Sequence, residues 1–508
     1  MVSDVSDISS TSDNFKREKN KKTKEWLEEV YIISIVLLSY LLARATGILG
    51  NEQLIHVGMM LILILVSVAL IWQTWSGRRF GTGQSQYNAG IYAVMIMGIV
   101  MRIGYMLSTN CTVRGHDLWE IDPSGAGHAG YLLQLLTKHQ LPDTNTLQFY
   151  QQPLFYILGA VTSWFLNLFF DDMTYYNLVD AAKTVSCIAS CLSLVLCRRI
   201  AQESGLKDQG ILCTLMLTAF LPAFYLTGGT VNPDALAALM MLYAYLFTLR
   251  WLRNQSWKNT ILLAVIFGLA MMTKISCGVV ALVTAGIFLW QFIIALHKKK
   301  AGKLLSKYLV FGCISIPLGM WYSIRNYILF NQSLTYVLWQ GEQSDLYTGS
   351  HPIIQRILLI DVDNLLQGPY TDVRSDYNLP VYYLKSALFG EFSFDVPGFI
   401  PVLLLFTAFV LSLFCISAVI GSIRKRRIRR DYRIMIAVIL SLVVYGSGVL
   451  FYLKYPFGCS MDFRYITFLA VPLSILLGKY AETHKVKSFY LHLLLSIYAV
   501  FSALMYSY

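Results

Sequence analysis

Between Arg114 and Phe155 the chain reads RGHDLWEIDPSGAGHAGYLLQLLTKHQLPDTNTLQFYQQPLF, which packs His116, Asp117, Glu120, Asp122 and His128 into a short span. A carboxylate in such a segment at a membrane surface can act as a general base toward an acceptor hydroxyl. The plainer reading is a solvated loop with acidic residues, normal at any outer face, and spacing alone leaves both open. Farther along, Asn232-Pro233-Asp234 stands where an apolar run ends and the next begins. Asp234 there can cap a helix or supply a second acid beside the first loop.

Cations recur at the same kind of boundary. Lys274, in Met271-Met272-Thr273-Lys274, lies between two apolar segments with little else polar nearby. An ionisable group at membrane depth is costly and points to function, although a lysine can also snorkel to the interface. Trp321-Tyr322-Ser323-Ile324-Arg325-Asn326 closes another apolar run, and Met461-Asp462-Phe463-Arg464-Tyr465 opens one. The planar fork of arginine suits phosphate; Asp462 can instead simply pair with Arg464. Asp180 and Lys183, three apart, read as an ion pair on one helix.

The elements that must position these residues are membrane helices. Of 508 residues, 56% are hydrophobic and 14% charged, and the mean hydropathy is +0.55. Soluble domains carry about 25% charged residues. Apolar runs of about 20 residues, enough to cross a hydrocarbon core, predict about thirteen spans: 28–48, 54–74, 87–108, 178–199, 209–227, 233–252, 258–273, 276–296, 307–324, 397–420, 433–453, 463–479 and 487–507. The fold class expected is all-α and transmembrane.

The net charge of +12 does not indicate nucleic acid. Arg78–Arg79, Arg198–Arg199, Arg250/Arg253, His297–Lys300 and Arg424–Arg433 fall on one side of this topology, together with the N-terminal lysines. The excess of basic residues in cytoplasmic loops accounts for them and places the N-terminus in the cytoplasm. Residues 1–27 are polar and lysine-rich, without the apolar stretch of a signal peptide, and are expected to be a disordered tail. The apolar segment 152–170 is expected to lie in the outer interface, because a full crossing would flip every later basic loop. No internal repeat or pair of broken helices of the transporter kind is evident.

Two connections, 109–151 and 325–396, are far longer than connectors need and lie outside on this topology; such loops are usually functional. Most of the nine cysteines lie in apolar segments, as small hydrophobes do. Cys111 and Cys459 fall outside, where a disulfide is conceivable. Asn110-Cys111-Thr112 and Asn331-Gln332-Ser333 fit the glycan acceptor pattern.

Taken in order, these motifs resemble polytopic glycosyltransferases of the GT-C fold, the group containing the protein O-mannosyltransferases and the bacterial aminoarabinose transferase. An acidic first outer loop ends in Gln152-Pro153-Leu154-Phe155-Tyr156, similar to the family's QPPLYY. Asn232-Pro233-Asp234, Thr273-Lys274, Trp321-Tyr322 through Asn326, and Asp462-Phe463-Arg464-Tyr465 follow. The resemblance runs from about residue 87 to 480. Residues 28–86 are two added N-terminal spans, and 481–508 is a C-terminal span.

The resemblance implies inverting transfer of a sugar, hexosyl or mannosyl, from a polyprenyl- or dolichyl-phosphate donor to a glycan, lipid or protein acceptor outside the cytoplasm, in a plasma or ER membrane. Asp117 would be the base, with Asp122 second; Lys274, Arg464 and Arg325 would hold the phosphate. His116, His128, Gln152, Asp234 and Asp462 would line the substrate site. Where family members show DE-x-x-Y, this chain has Gly127-His128-Ala129-Gly130 before Tyr131, so its acids lie earlier. A divalent metal is admitted if Asp117, Asp122 and Asp234 converge. The other classes consistent with the sequence are a transporter or flippase of a lipid-linked or anionic substrate, and a non-catalytic partner subunit of the same fold.

Overall fold

The computed structural model describes residues 3–79, 86–424 and 431–507, with the side chains of 3–22, 74, 77–79, 86 and 485 outside the description. The segment expected as a disordered tail over 1–27 is instead helical from Ser3 on, as the start of the first helix. The side chains of the Arg78–Arg79 pair and residues 425–430 of the Arg424–Arg433 run lie outside the described residues.

The chain is a helical bundle. Its helices are α1 (Ser3–Ala45), α2 (Glu52–Arg79), α3 (Gln86–Ser108), α4 (Gly127–Lys138), α5 (Leu154–Asn167), α6 (Tyr175–Glu203), α7 (Asp208–Phe220), α8 (Pro222–Gly228), α9 (Asp234–Arg253) and α10 (Trp257–Thr273). There follow α11 (Gly278–His297), α12 (Ala301–Phe330), α13 (Ile353–Ile357), α14 (Val362–Gln367), α15 (Leu379–Phe389), α16 (Phe399–Arg424), α17 (Tyr432–Lys454), α18 (Ala470–Thr483) and α19 (Lys485–Met505). Twelve of the thirteen expected spans each overlap one of these helices, and 209–227 covers two, α7 and α8. By length and composition, 11 helices among the described residues suffice to cross a membrane, or up to 12 if a bent pair is one span. The protein is an integral, multi-pass membrane protein.

The count differs from thirteen for two physical reasons. One expected span, α10, is only 17 residues long. Another, 209–227, is broken: α7 and α8 meet at 49°, because Pro222 starts α8 and leaves Leu221 extended (ψ 114°). The bent pair has no counterpart among the described residues. Arg102 of α3, fully buried, covers the break. Its guanidinium donates to the carbonyls of Thr218 and Ala219, both at 2.9 Å, and of Gly98 at 2.8 Å, and to Ser190 Oγ at 3.0 Å. Carbonyls freed at a helix end need such donors.

The core lies along α6, which is 94% buried over its most apolar stretch, whereas α2 is 17% buried there and turns its apolar surface outward. At one end of the bundle, Glu25, Glu28 and Glu29 of α1 pair with Arg250, Arg198 and Arg199, and Glu203 with Arg253 at 2.7 Å. The basic clusters of two loops thus converge with the start of the first span, as the topology requires. Helix α9 begins at Asp234 and carries Arg250 and Arg253 in its last turn. Its 20 residues span about 30 Å, so Asp234 lies a membrane's thickness from the basic end. Helix α5, at 14 residues, covers about 21 Å, too short for a full crossing.

Cys111 and Cys459 are both free thiols, Cys111 being buried, so the disulfide considered between them is not formed. Cys111 is instead held through its N–H, which donates to Asp180 Oδ1 at 2.9 Å. Asp180 is the buried partner of Lys183 at 2.8 Å, and Lys183 also donates to the Thr109 carbonyl at 2.7 Å. The expected intrahelical pair therefore also fixes the start of the first outer loop.

Candidate active site

Opposite the basic end, the long loops and helix termini enclose a cavity of about 380 Å³, lined in part by Asp117, His128, Gln152, Asp234, Lys274 and Arg464. Local structure accounts for each placement. Asp117 has a left-handed backbone (φ +55°), as do Arg114 and Trp119 beside it, a conformation an aspartate tolerates better than most residues. The turn docks on the start of α4, where no side chain caps the helix. The N–H of His128 donates to the Asp117 carbonyl at 3.0 Å, and that of Ala129 to the Leu118 carbonyl at 3.1 Å. Gly127 (φ +72°) makes the approach feasible, since a Cβ there would lie 2.6 Å from the Asp117 carbonyl oxygen. Asp117 thereby presents a half-exposed carboxylate to the cavity.

Asp234 is the first residue of α9, and Pro233 occupies the cap position without a side-chain bond. The capping reading is thus replaced. Asn232 Oδ1 accepts the Asp234 N–H at 3.1 Å, leaving the Asp234 carboxylate to pair with Lys274. Lys274 ends α10 in an extended conformation (φ −157°, ψ 128°) before the short turn that starts α11. Its ammonium lies 4.8 Å from the centre of the Tyr465 ring, inside the site rather than snorkelling.

Arg464 is the hub. Its Nη2 is 3.9 Å from Asp117, its Nη1 3.9 Å from Asp234 and its Nε 3.3 Å from Asp462. Asp462 Oδ1 accepts the Arg464 N–H at 2.9 Å, so the expected pairing holds. The two 3.9 Å separations exceed hydrogen-bond length and leave N–H groups available to an incoming anion.

His128 is buried, and its Nδ1 meets the Tyr156 hydroxyl at 2.7 Å. Burial, against the pull of Asp117 and Asp234, lowers its pKa to about 4. Gln152 Nε2 donates to Ser323 Oγ at 2.8 Å, while its Oε1 is buried without a partner. Burial, then Asp117, pushes the Tyr150 hydroxyl up to about 12.

Four expected site residues do not line the cavity: His116 and Asp462 border a smaller chamber behind Arg464, and Asp122 and Arg325 stand elsewhere. Asp122 is exposed and turned to Ser124, whose N–H donates to it at 2.7 Å; the Ser124 hydroxyl and N–H hold its pKa below the ordinary value. Arg325 donates to the Pro142 carbonyl at 2.6 Å and to Asn326 Oδ1 at 2.9 Å. It staples the first loop to α12 and does not line the cavity.

The metal set considered for Asp117, Asp122 and Asp234 does not converge: Asp117 and Asp234 meet only through Arg464, and Asp122 turns away. Among the described residues the group with metal-ligand geometry is His116, Glu391 and Asp462. Glu391 escaped the sequence reading; one acid in an outer loop gives no periodic signal. Burial opposes its charge, but His116, Arg464 and the Tyr382 hydroxyl at 2.8 Å hold its pKa below the usual value.

Residues 159–343 match the family model described as dolichyl-phosphate-mannose-protein mannosyltransferase. This bears out the resemblance drawn from the motifs. Among curated proteins, none matches the chain in sequence. Among solved structures, oligosaccharyltransferase AglB of Archaeoglobus fulgidus, with an inhibitory peptide and a dolichol-phosphate, aligns over 82% of this chain and 55% of its own, at 10% identity and a TM-score of 0.48. ArnT of Cupriavidus metallidurans bound to undecaprenyl phosphate aligns over 77% and 76%, at 14% identity and a TM-score of 0.35. The chain spans about half the length of the oligosaccharyltransferase it is similar to.

Proposed function

We propose that this protein is a membrane glycosyltransferase that moves a sugar, a hexose of the mannose type, from a polyprenyl- or dolichyl-phosphate carrier to a hydroxyl-bearing acceptor on the extracytoplasmic side. The observation that carries the reading is one cavity bordered by a half-exposed carboxylate, Asp117, and two cations, Lys274 and Arg464. The family match supports the donor class. The gathering of α1 and the basic loops at the opposite end supports a cytoplasmic N-terminus and an outward-facing site.

In this reading Asp117 takes the proton of the acceptor hydroxyl as its oxygen bonds to the anomeric carbon. The bond from that carbon to the carrier phosphate oxygen breaks on the opposite face, which inverts the centre. The electron pair leaves with the phosphate, which Lys274 and Arg464 stabilise. Lys274 gives one donor to Asp234 and keeps others for the phosphate. A transporter would gather its polar groups at mid-membrane between broken helices, whereas here they meet at helix ends.

The test is transfer of radiolabelled sugar by the purified protein from a short polyprenyl-phosphate donor, alongside complementation of a deletion strain. Turnover lost in Asp117→Asn and retained in Asp122→Asn supports the reading. A wild type that binds donor but transfers nothing favours the transporter or partner-subunit readings.

A further inference from the structure

We infer that His116, Glu391 and Asp462 form a divalent-cation site immediately behind Arg464. His116 lies between two carboxylates, its Nδ1 3.4 Å from Glu391 Oε2 and its Nε2 3.6 Å from Asp462 Oδ2. Both gaps are longer than a good hydrogen bond, so the imidazole sits among acids without closing on either. One ligand atom from each residue lies within 4.8 Å of the others.

Independent observations point to something held there. Asp462, 2% exposed, accepts no hydrogen bond at Oδ2, which faces only the Arg464 Nε at 3.3 Å and the His116 Nε2 at 3.6 Å. The Asn232 Nδ2 is likewise without a partner. Asp462, Asn232, Arg464 and His116 border a chamber of about 20 Å³, room for one water-sized species. An unsatisfied buried carboxylate oxygen is costly, and Asp462 Oδ2 beside this chamber calls for a cationic occupant, while the Asn232 amide N–H can donate to a water on that ion.

The charge inventory gives its sign. In the ion-paired group around Arg464, the four carboxylates of Asp117, Asp234, Glu391 and Asp462 face two cations, Lys274 and Arg464. Counted without the imidazoles, the group carries two surplus negative charges, before any anionic donor arrives. One divalent cation balances them. One nitrogen and two carboxylate oxygens suit Mn²⁺, or Zn²⁺ and Mg²⁺ with added water.

Bound there, the ion holds Asp462 away from Arg464 and turns the guanidinium toward the cavity. That consequence rests on the transferase reading; the site itself does not.

The test titrates Mn²⁺ into EDTA-stripped full-length protein in detergent, without any donor, and follows the ion by electron paramagnetic resonance. The expected result is one Mn²⁺ per chain with nitrogen coupling from a coordinated imidazole. In His116→Gln the coupling vanishes. Loss of orienting partners alone weakens metal sites about 10- to 100-fold, so losing a ligand in His116→Gln or Glu391→Gln should weaken binding at least about 100-fold. Asp345→Asn, in an exposed pair with Arg374, should bind like wild type. No stoichiometric Mn²⁺ in the wild type, or Mn²⁺ without nitrogen coupling, overturns the proposal, and both are read on wild type whether or not a variant folds. Mn²⁺ bound without sugar transfer would leave the site standing and remove the transferase reading.

Discussion

Lys274, at the end of α10, and Asp234, at the start of α9, form a buried ion pair between two helix termini. Both charges border the cavity that holds Asp117. The pair closes one side of the site and presents its cation inward.

Removing Lys274 leaves the buried Asp234 with only the more distant Arg464, at 3.9 Å. Lys274→Met should lower stability by about 3 kcal/mol, the low end of the loss when half of a buried pair goes, because Arg464 still faces Asp234. Thermal unfolding in detergent checks this. Lys274→Met with Asp234→Asn should recover most of that stability and still fail to bind a polyprenyl-phosphate donor. Donor binding by the double variant would remove Lys274 from the phosphate site.

Asp117→Asn should slow single-turnover transfer by about 100-fold or more, in keeping with loss of a general base, with donor affinity changed little. Rapid-quench measurement at saturating donor separates the two. A drop in affinity with unchanged chemistry would make Asp117 a binding residue.

His128 gives an acid-side stability profile. Its pKa is about 4 in the fold because burial disfavours the cation, against about 6.5 in the unfolded chain. Between these values the unfolded state binds the proton and the folded state does not. The contribution is therefore complete above about pH 6.5 and is lost as pH falls through about 4, amounting to about 3 kcal/mol. Midpoints measured from pH 7 to 4 should fall less steeply in His128→Asn. Equal slopes would mean that carboxylates alone set the profile.

Arg102→Met should destabilise more than its apolar character suggests. The carbonyls of Thr218 and Ala219 at the broken helix end lose their donor, each orphan costing about 1–3 kcal/mol. Hydrogen exchange should rise at the α7–α8 break specifically. Uniform loosening would argue against a local role for Arg102.

The spans were legible because a bilayer imposes length and composition on every crossing helix, and the deviations sit at α10, which is short, and at Pro222. Lys274 and Asp234 were legible as charges where charge is costly. What separates Asp117 from Asp122 is a left-handed turn docked on the N–H groups of α4, and only the folded loop reveals it. Arg325 and Arg464 looked alike as outer arginines. Their difference lies in which carbonyl or carboxylate the fold brings near. Glu391 carries no local signal because its partners, His116 and Tyr382, are assembled from separate segments.

The seam joining α1 to the basic loops bears on how the chain is made. Glu28 and Glu29 leave the ribosome 170 residues before Arg198 and Arg199, their respective partners, and Glu25 precedes Arg250 by 225. The first helix must therefore wait at the insertion machinery, or drift nearby in the bilayer, until α6 and α9 emerge and claim it. A foreign anchor grafted in place of α1 would insert equally well and leave Arg199, 4% exposed, without its carboxylates. Such a chimera would reach the membrane and then be cleared as an unassembled intermediate.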